Sequence, residues 1–555
     1  MSLQQKITRA MDARGVRPLA LGPYEIDIHR DLRVPMDDGV ELLADLIVPI
    51  GGGDPSMPTV VLRSPYGRRG PIASGARRLA YAGCTVLVQS CRGTGGSPGR
   101  FHPQVNEQRD GIATHRWVRG QSWFTGHLAT FGPSYLGYVQ WAIAGKLQRD
   151  DPETAPEALV LQVTMPDFGA VTWDNNAFAL RNALGWTRMM RKRGPALIGM
   201  LLPDRKLQKG FETLPLGRGD EVATGESVDW YQDWVRHEKL TDEYWTQQSH
   251  TASVPDVTAP VLMLTGWYDI FLPWQLRTYA QLVEAGNPPR LTVGPWGHSS
   301  PEMEAPLLDE TLDLFGEIFG SRTSTRTAPV RAYLTGAEEW RELATWPPAG
   351  THGQEWVLHA DGVLSPGAAS GGTTRYRYDP DAPTPAVGGP SLTPDTLPQD
   401  NRAHERRDDV VVFRGSALTE PVTIAGKPAA RIRFRSSRPS YDIFVRITDT
   451  HPDGRVLTVC DGIRRIGSVG SVVTDPEPDA EGWREVEIPL WPVFHRFAPG
   501  HRIGVQVSSG AHPRYARNPG SVDPAFSAVS AGVADQEISH DGPSVSRIEL
   551  PVWES

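Results

Sequence analysis

Between about Leu42 and Gly145, short β-branched or apolar runs (ELLADLIVP, TVVLRS, CTVLVQS, HLATFG) alternate with longer segments such as DGIATHRWVRGQ, whose apolar spacing suits helices. Strands alternating with helices predict a mostly parallel sheet covered on both faces. The pattern breaks after about Val163, where the strand-like LVLQVT gives way to Trp173, Trp186, Met189, Met190 and the basic stretch RMMRKRG. From there to about Ser253 the spacing reads as largely helical, with DWYQDWVRHEKLTDEYW the clearest amphipathic piece. Buried-strand character returns in APVLMLTGWYD and PRLTVGPWGH. The expected organisation is therefore one α/β domain in two parts, residues 1–157 and 254–350, interrupted by a helical cap at 158–253.

Beyond about Gly350 the grammar changes to short alternating strands separated by Gly, Pro and Asp turns, among them EWVLHAD, AARIRFRS, DIFVRITD, WREVEIPL and SRIELPVW. This predicts an antiparallel sandwich over residues 351–555. The stretch PDAPTPAVGGPSLTPDTLP lies inside that region and reads as a long ordered loop rather than a linker.

Composition narrows the function. The 555 residues carry 56 basic and 65 acidic side chains, a net charge of −9, so no bulk positive field exists to hold a phosphate backbone or an anionic membrane. Neither nucleic acid nor a membrane is an expected partner. Three cysteines, Cys84, Cys91 and Cys460, without a CxxC pair argue against a disulfide scaffold or a thiolate zinc site and for a reducing compartment, the cytoplasm. The N-terminus lacks the apolar h-region of a signal peptide, and no apolar run approaches bilayer-spanning length.

The sharpest chemical feature is FGPSYLGYVQWAIAG, which places Ser134 between Gly132 and Gly137 after a strand and before a small-residue helix. Strand, tight turn and helix is the geometry that exposes a nucleophilic hydroxyl, although the spacing here is G-x-S-x-x-G rather than G-x-S-x-G. A serine needs a base, and the base a carboxylate to orient it. Asp269 follows the apolar run VLMLTGWYD and His298 follows LTVGPWGH, each at an expected carboxyl edge of a parallel sheet and in the order Ser, Asp, His. Other motifs carry less. GTGGSPG has the wrong glycine spacing for a dinucleotide loop, and no GxxxxGK[ST], HExxH or EF-hand pattern occurs. The cap's basic cluster Arg188, Arg191, Lys192 and Arg193 reads first as a solvated helix face and second as a greeting for an anionic substrate.

The segments VPMDDGVELLADLIVP, LRSPYG, QSCRGTGGSPGRF, DGIATHRWVRGQSWFTG, FGPSYLGYVQW, LTGWYDIF, VGPWGH, DGRVLTVCDGIRR and HRIGVQVSS resemble the cocaine esterase family of serine hydrolases, related to X-Pro dipeptidyl peptidases and α-amino-acid ester hydrolases. The resemblance runs from about Tyr24 to the C-terminus and implies an α/β-hydrolase domain, an inserted helical cap and a C-terminal all-β jelly roll. It implies Ser134 as nucleophile, His298 as general base and acid, and Asp269 as the orienting carboxylate. It also implies an oxyanion hole made by the Tyr135 backbone N–H and the Tyr66 hydroxyl, with Trp173, Trp186, Phe271 and the loop near Leu392 as candidates for the substrate pocket. Thr393 stands where that family would place an aromatic, and Ser90 where it usually has Asp.

One departure bears on substrate class. The α-amino-acid ester hydrolases carry an acidic pair after the triad Asp, whereas Ile270, Phe271 and Leu272 follow Asp269 here. A buried ammonium without a carboxylate is costly, so amino-ester or aminopeptidase activity is disfavoured unless the cap supplies the charge. The leading expectation is hydrolysis of a carboxylic ester, or a related acyl bond, of a small-molecule substrate through an acyl-enzyme on Ser134, without metal or cofactor. Acyl transfer or X-Pro amide hydrolysis on the same three residues is the alternative, and a non-catalytic binding protein the third. The chain is compatible with a homo-oligomer.

Overall fold

The computed structural model describes residues 22–192, 204–320, 322–367, 371–392, 398–468, 473–529, 531–541 and 545–554. The readings made on the first twenty-one residues, on Arg193 and on Thr393 lie outside them.

A ten-stranded sheet is built from β1 (Ile26–Pro35), β2 (Glu41–Pro49), β3 (Thr59–Ser64), β4 (Thr85–Ser90), β5 (Leu128–Pro133) and β6 (Ala158–Gln162). After a two-stranded hairpin in the cap, β7 (Trp173–Asp174) and β8 (Ala177–Phe178), it is completed by β9 (Val261–Tyr268), β10 (Arg290–Gly297), β11 (Val330–Leu334) and β12 (Glu339–Leu343). The strand order is β1-β2-β4-β3-β5-β6-β9-β10-β11-β12. The run from β4 to β11 is parallel, and antiparallel strands close both edges. Every residue of β3 and β4 is buried, the signature of strands covered on both faces. Helices Pro71–Tyr81, Glu107–Arg119 and Leu272–Glu284 supply part of that cover.

One sequence expectation needs correction, and the cap shows two details that the pattern left open. The boundary set at residue 157 is early, because β6 pairs with both β5 and β9, and the chain leaves the sheet for the cap only after Gln162. The largely helical cap also holds a short hairpin, Trp173–Asp174 paired with Ala177–Phe178. Its amphipathic piece is not one helix but two, Asp229–Arg236 and Glu243–Thr246. The break is stabilised by tertiary contact: the Trp245 indole N–H donates to the His237 carbonyl at 2.7 Å, satisfying an acceptor that the end of a helix leaves open.

From Thr351 onward the described residues form two antiparallel sheets, of nine and four strands. Strand Ala429–Ser436 alternates buried and half-buried positions, as expected where one face packs on a core. That core runs from Trp356 to Leu550 and includes Phe413, Phe434, Ile447 and Val505. The all-β unit is not an appendage: Trp491 and Phe494 share one buried cluster with Tyr135, Trp267 and Phe271 of the α/β unit. No helix among the described residues is long and apolar enough to cross a membrane.

Candidate active site

Ser134, Asp269 and His298 each lie one residue beyond the C-terminal end of a parallel strand, β5, β9 and β10 respectively. Because β5, β6, β9 and β10 are consecutive in the sheet, the three side chains emerge at one edge. His298 Nε2 is 3.1 Å from Ser134 Oγ, and His298 Nδ1 is 2.6 Å from Asp269 Oδ2. The other carboxylate oxygen of Asp269 accepts the Phe271 N–H at 2.8 Å, and the Asp269 side chain is fully buried.

Local sequence explains these positions. Ser134 adopts φ 57° and ψ −122°, a left-handed conformation that side-chain-bearing residues rarely take, and the turn is held by the Ser134 N–H donating to the Gln162 carbonyl at 2.9 Å. Both glycines of G-x-S-x-x-G answer to close approach. A Cβ on Gly132 would stand 2.4 Å from Leu136 Cβ, and one on Gly137 would stand 2.5 Å from the Thr164 side chain. Glycine at position 137 thus lets the helix sit against Thr164, whose hydroxyl donates to the Ser134 carbonyl at 2.8 Å. On β10 the register against β9 shifts between Gly294 and Gly297, a bulge that re-aims the residue after it, His298.

The expected oxyanion donors stand beside the serine. Tyr135 opens the helix Tyr135–Trp141, so its N–H has no intrahelical acceptor. The Tyr66 hydroxyl receives the Trp186 indole N–H at 3.0 Å and lies within hydrogen-bonding reach of the Ser134 side chain. Burial pushes the Tyr66 phenol up to about 12, with its hydrogen-bonding contacts to Trp186 and Ser134 acting the other way, so the hydroxyl keeps its proton at neutral pH. Replacing it tests that role. Tyr66→Phe is expected to lower kcat by about 10²–10³-fold with little change in KM, measured by steady-state ester hydrolysis. An unchanged kcat would remove Tyr66 from the oxyanion hole.

Sequence reasoning missed the buried network that holds Tyr135. Its hydroxyl donates to Glu107 Oε1 at 2.9 Å, Glu107 pairs with Arg63 at 2.9 Å, and Arg63 Nε donates to Gln89 Oε1 at 2.8 Å. Glu107, at the start of a helix, and Arg63, near the end of β3, read as surface charges, and only the fold reveals them as interior. The Trp186 ring stacks on Tyr135, with centroids 6.2 Å apart at 6°. Phe101 and Trp230, likewise unmarked by the pattern, join Tyr66 and Met190 in lining a cleft of about 560 Å³.

The other sequence candidates divide. Phe271 packs edge-on against the His298 ring at 5.1 Å. The Leu392 carbonyl accepts the Ser299 hydroxyl at 3.3 Å, which brings the long Pro/Gly loop beside the histidine. Trp173 lies in the cap's own core, its indole N–H donating to the Trp234 carbonyl at 2.9 Å and its ring against Phe178. Arg188 and Lys192 share Asp204, and Arg191 pairs with Glu226, so each of these cap cations is engaged and one net positive charge is left among them. Ser90 accepts from Arg68 Nη1 at 3.2 Å, and the carboxylate its position lacks is supplied by Asp45, 2.8 Å from Arg68 Nε, and by Asp31. Ile270, Phe271 and Leu272 are all buried and offer no charge beside Asp269.

A parallel sheet whose carboxyl edge carries an ordered Ser–His–Asp array defines a serine hydrolase of the α/β class. Comparison with known proteins gives the family. Residues 38–300 match the X-Pro dipeptidyl-peptidase (S15 family) model, and residues 322–543 match the X-Pro dipeptidyl-peptidase C-terminal non-catalytic domain. The cocaine esterase of Rhodococcus sp. (strain MB1 Bresler) is 30% identical over 540 residues, covering 88% of this chain and 92% of that one. The chain belongs to the cocaine esterase family of serine hydrolases. Among solved structures, an aminopeptidase from the marine sediment archaeon Thaumarchaeota archaeon superposes with TM-score 0.82 at 24% identity, covering 96% of this chain and 97% of that one. An α-amino acid ester hydrolase gives TM-score 0.80 at 24% identity, covering 96% and 98%. At that identity the two likenesses speak for the fold.

Proposed function

We propose that this enzyme hydrolyses carboxylic esters through an acyl-enzyme on Ser134. The observation that carries the reading is the His298 imidazole, held between Asp269 at 2.6 Å and Ser134 Oγ at 3.1 Å. His298 Nε2 takes the Ser134 proton as Oγ attacks the acyl carbon, and the Asp269 carboxylate stabilises the imidazolium that forms. The tetrahedral oxyanion is met by the Tyr66 hydroxyl and the Tyr135 N–H. Collapse breaks the bond to the alcohol oxygen, which leaves with the proton from His298. Water, deprotonated by the same nitrogen, then attacks the acyl carbon and releases the acid and the free serine.

Phe101 and Trp186 pack against Tyr135, and Phe271 against the His298 ring, so aromatic faces border the array and suit an uncharged acyl or alcohol group. A second reading, X-Pro peptide hydrolysis, is favoured by the S15 family match over residues 38–300. Against it, the residues after Asp269 are apolar, and the cap carboxylate Asp174 already accepts the Tyr515 hydroxyl at 2.6 Å. The three buried free cysteines support a cytoplasmic location as part of the proposal. The test pairs intact-protein mass spectrometry after fluorophosphonate treatment with two substrate panels, aryl and alkyl esters against X-Pro anilides. One adduct and turnover of esters alone are expected. Turnover of the anilides alone would replace the ester reading with the peptidase one, and a folded protein that takes no adduct would overturn both.

A further inference from the structure

A second cluster of titratable side chains lies in the all-β unit, on elements that carry none of the Ser134 array. Strand Tyr441–Thr450 presents Asp449, His451 follows it immediately, and His501 precedes strand Arg502–Ser508, which pairs with it. One imidazole nitrogen of each histidine and one oxygen of Asp449 lie within 4.8 Å of one another. Asp449 Oδ1 is 2.8 Å from His501 Nδ1, and Asp449 Oδ2 is 3.8 Å from His451 Nε2. The two histidine rings are 4.3 Å apart between centroids. A third imidazole closes on the same carboxylate from behind, with His495 Nε2 3.2 Å from Asp449 Oδ2.

We propose that Asp449, His451 and His501 bind a divalent transition-metal ion of borderline softness, zinc foremost, with His495 positioning the carboxylate. Two imidazoles and a carboxylate form a donor set that zinc favours over calcium or magnesium, which prefer all-oxygen shells. The Asp449 side chain is buried while the His451 side chain is 21% exposed, so the site has a rigid floor and an open mouth. Arg455 Nη2 stands 3.5 Å from His451 Nδ1, on the side away from Asp449, and its charge is offset by Asp453 at 2.7 Å.

The His495 ring is fixed at both ends, because its Nδ1 bonds Thr335 Oγ1 at 2.9 Å. Orienting a ligating carboxylate through a second hydrogen-bonded ring is how outer partners tune metal sites. Thr335 directly follows β11 of the large sheet, so the ion would reinforce the contact between the α/β and all-β units.

The experiment uses the full chain, stripped with a chelator, dialysed and titrated with zinc sulfate by calorimetry, with cobalt(II) absorption as a report on coordination geometry. About one zinc per chain and a tetrahedral cobalt spectrum are expected. His451→Gln and His501→Gln should each weaken zinc binding by at least about tenfold. His127→Ala, which removes an exposed imidazole paired with Glu157 at 2.7 Å, should leave this binding unchanged. Because His451 is partly exposed, its variant should fold even if the His501 variant does not, with circular dichroism as the check. No stoichiometric zinc on the wild type, or equal affinity in a folded His451→Gln protein, would overturn the proposal. Neither readout depends on ester turnover, so this result stands apart from the Ser134 reading.

Discussion

Replacing Ser134 with alanine is expected to lower kcat by about 10⁴–10⁶-fold, equivalent to about 5–8 kcal/mol of transition-state stabilisation. The hydroxyl is the only atom of that side chain able to form the acyl bond, and the only hydroxyl paired with the His298 base among the described residues. Folding should be little affected, with a stability change under about 1 kcal/mol. Ser134 Oγ hydrogen-bonds His298, whereas the turn itself is held by backbone bonds to Gln162 and Gly137 and by the Thr164 hydroxyl. Steady-state hydrolysis with parallel thermal melts checks both halves. Retained turnover on a variant that binds no fluorophosphonate would move the chemistry away from Ser134.

The second large effect is on stability. Asp461 lies buried between Arg514, 2.6 Å from one carboxylate oxygen, and Arg446, 3.1 Å from the other. Asp461→Asn would leave two guanidinium groups in the interior without their counter-charge, at a cost of about 3–5 kcal/mol. Glu41→Gln, which breaks the exposed Arg33–Glu41 pair at 2.9 Å, should cost under about 1 kcal/mol. Urea unfolding of the two variants measures the contrast, and equal midpoints would refute it. The same network reaches the cap, because Tyr515, next to Arg514, donates to Asp174.

The pH dependence follows from the same carboxyl. Burial alone pushes the Asp461 pKa up, and the Arg514 and Arg446 charges more than offset it, holding the group below its usual value. A depressed folded-state pKa means the contribution is complete above the unfolded-state value near ~3.9 and is lost as pH falls through the lower folded value. The wild type and Asp461→Asn should therefore differ most near neutrality and converge in acid.

Much of the site was legible before any coordinates. Close approach at Gly132 and Gly137 writes itself into the chain as small residues at fixed spacing, and buried parallel strands write themselves as the unbroken apolar runs that end at Ser134, Asp269 and His298. Where those signals weaken, reading by pattern loses its hold. The cap's aromatic residues have no period that separates Trp186, seated on Tyr66 and Tyr135, from Trp173, enclosed in the cap core. The helix break after Arg236 depends on an indole that reaches back across the turn, a contact that local propensity does not encode. The early boundary at residue 157 has a similar cause, since β6 looks the same in sequence whether or not β9 returns to pair with it a hundred residues later.

Sequence by itself determined the order of Ser134, Asp269 and His298 at strand ends, the alternation that builds a parallel sheet and the change of grammar near Gly350, because each is a one-dimensional consequence of burial and backbone geometry. Tertiary structure alone decided which charges lie inside, as with Glu107 beneath Tyr135 and Asp461 between two arginines, and which side chains converge from distant strands, as with Asp449, His451, His495 and His501. The physical reason is that desolvation and pairing are properties of three-dimensional neighbourhoods. A charged residue carries the same letter whether it faces water or a buried partner.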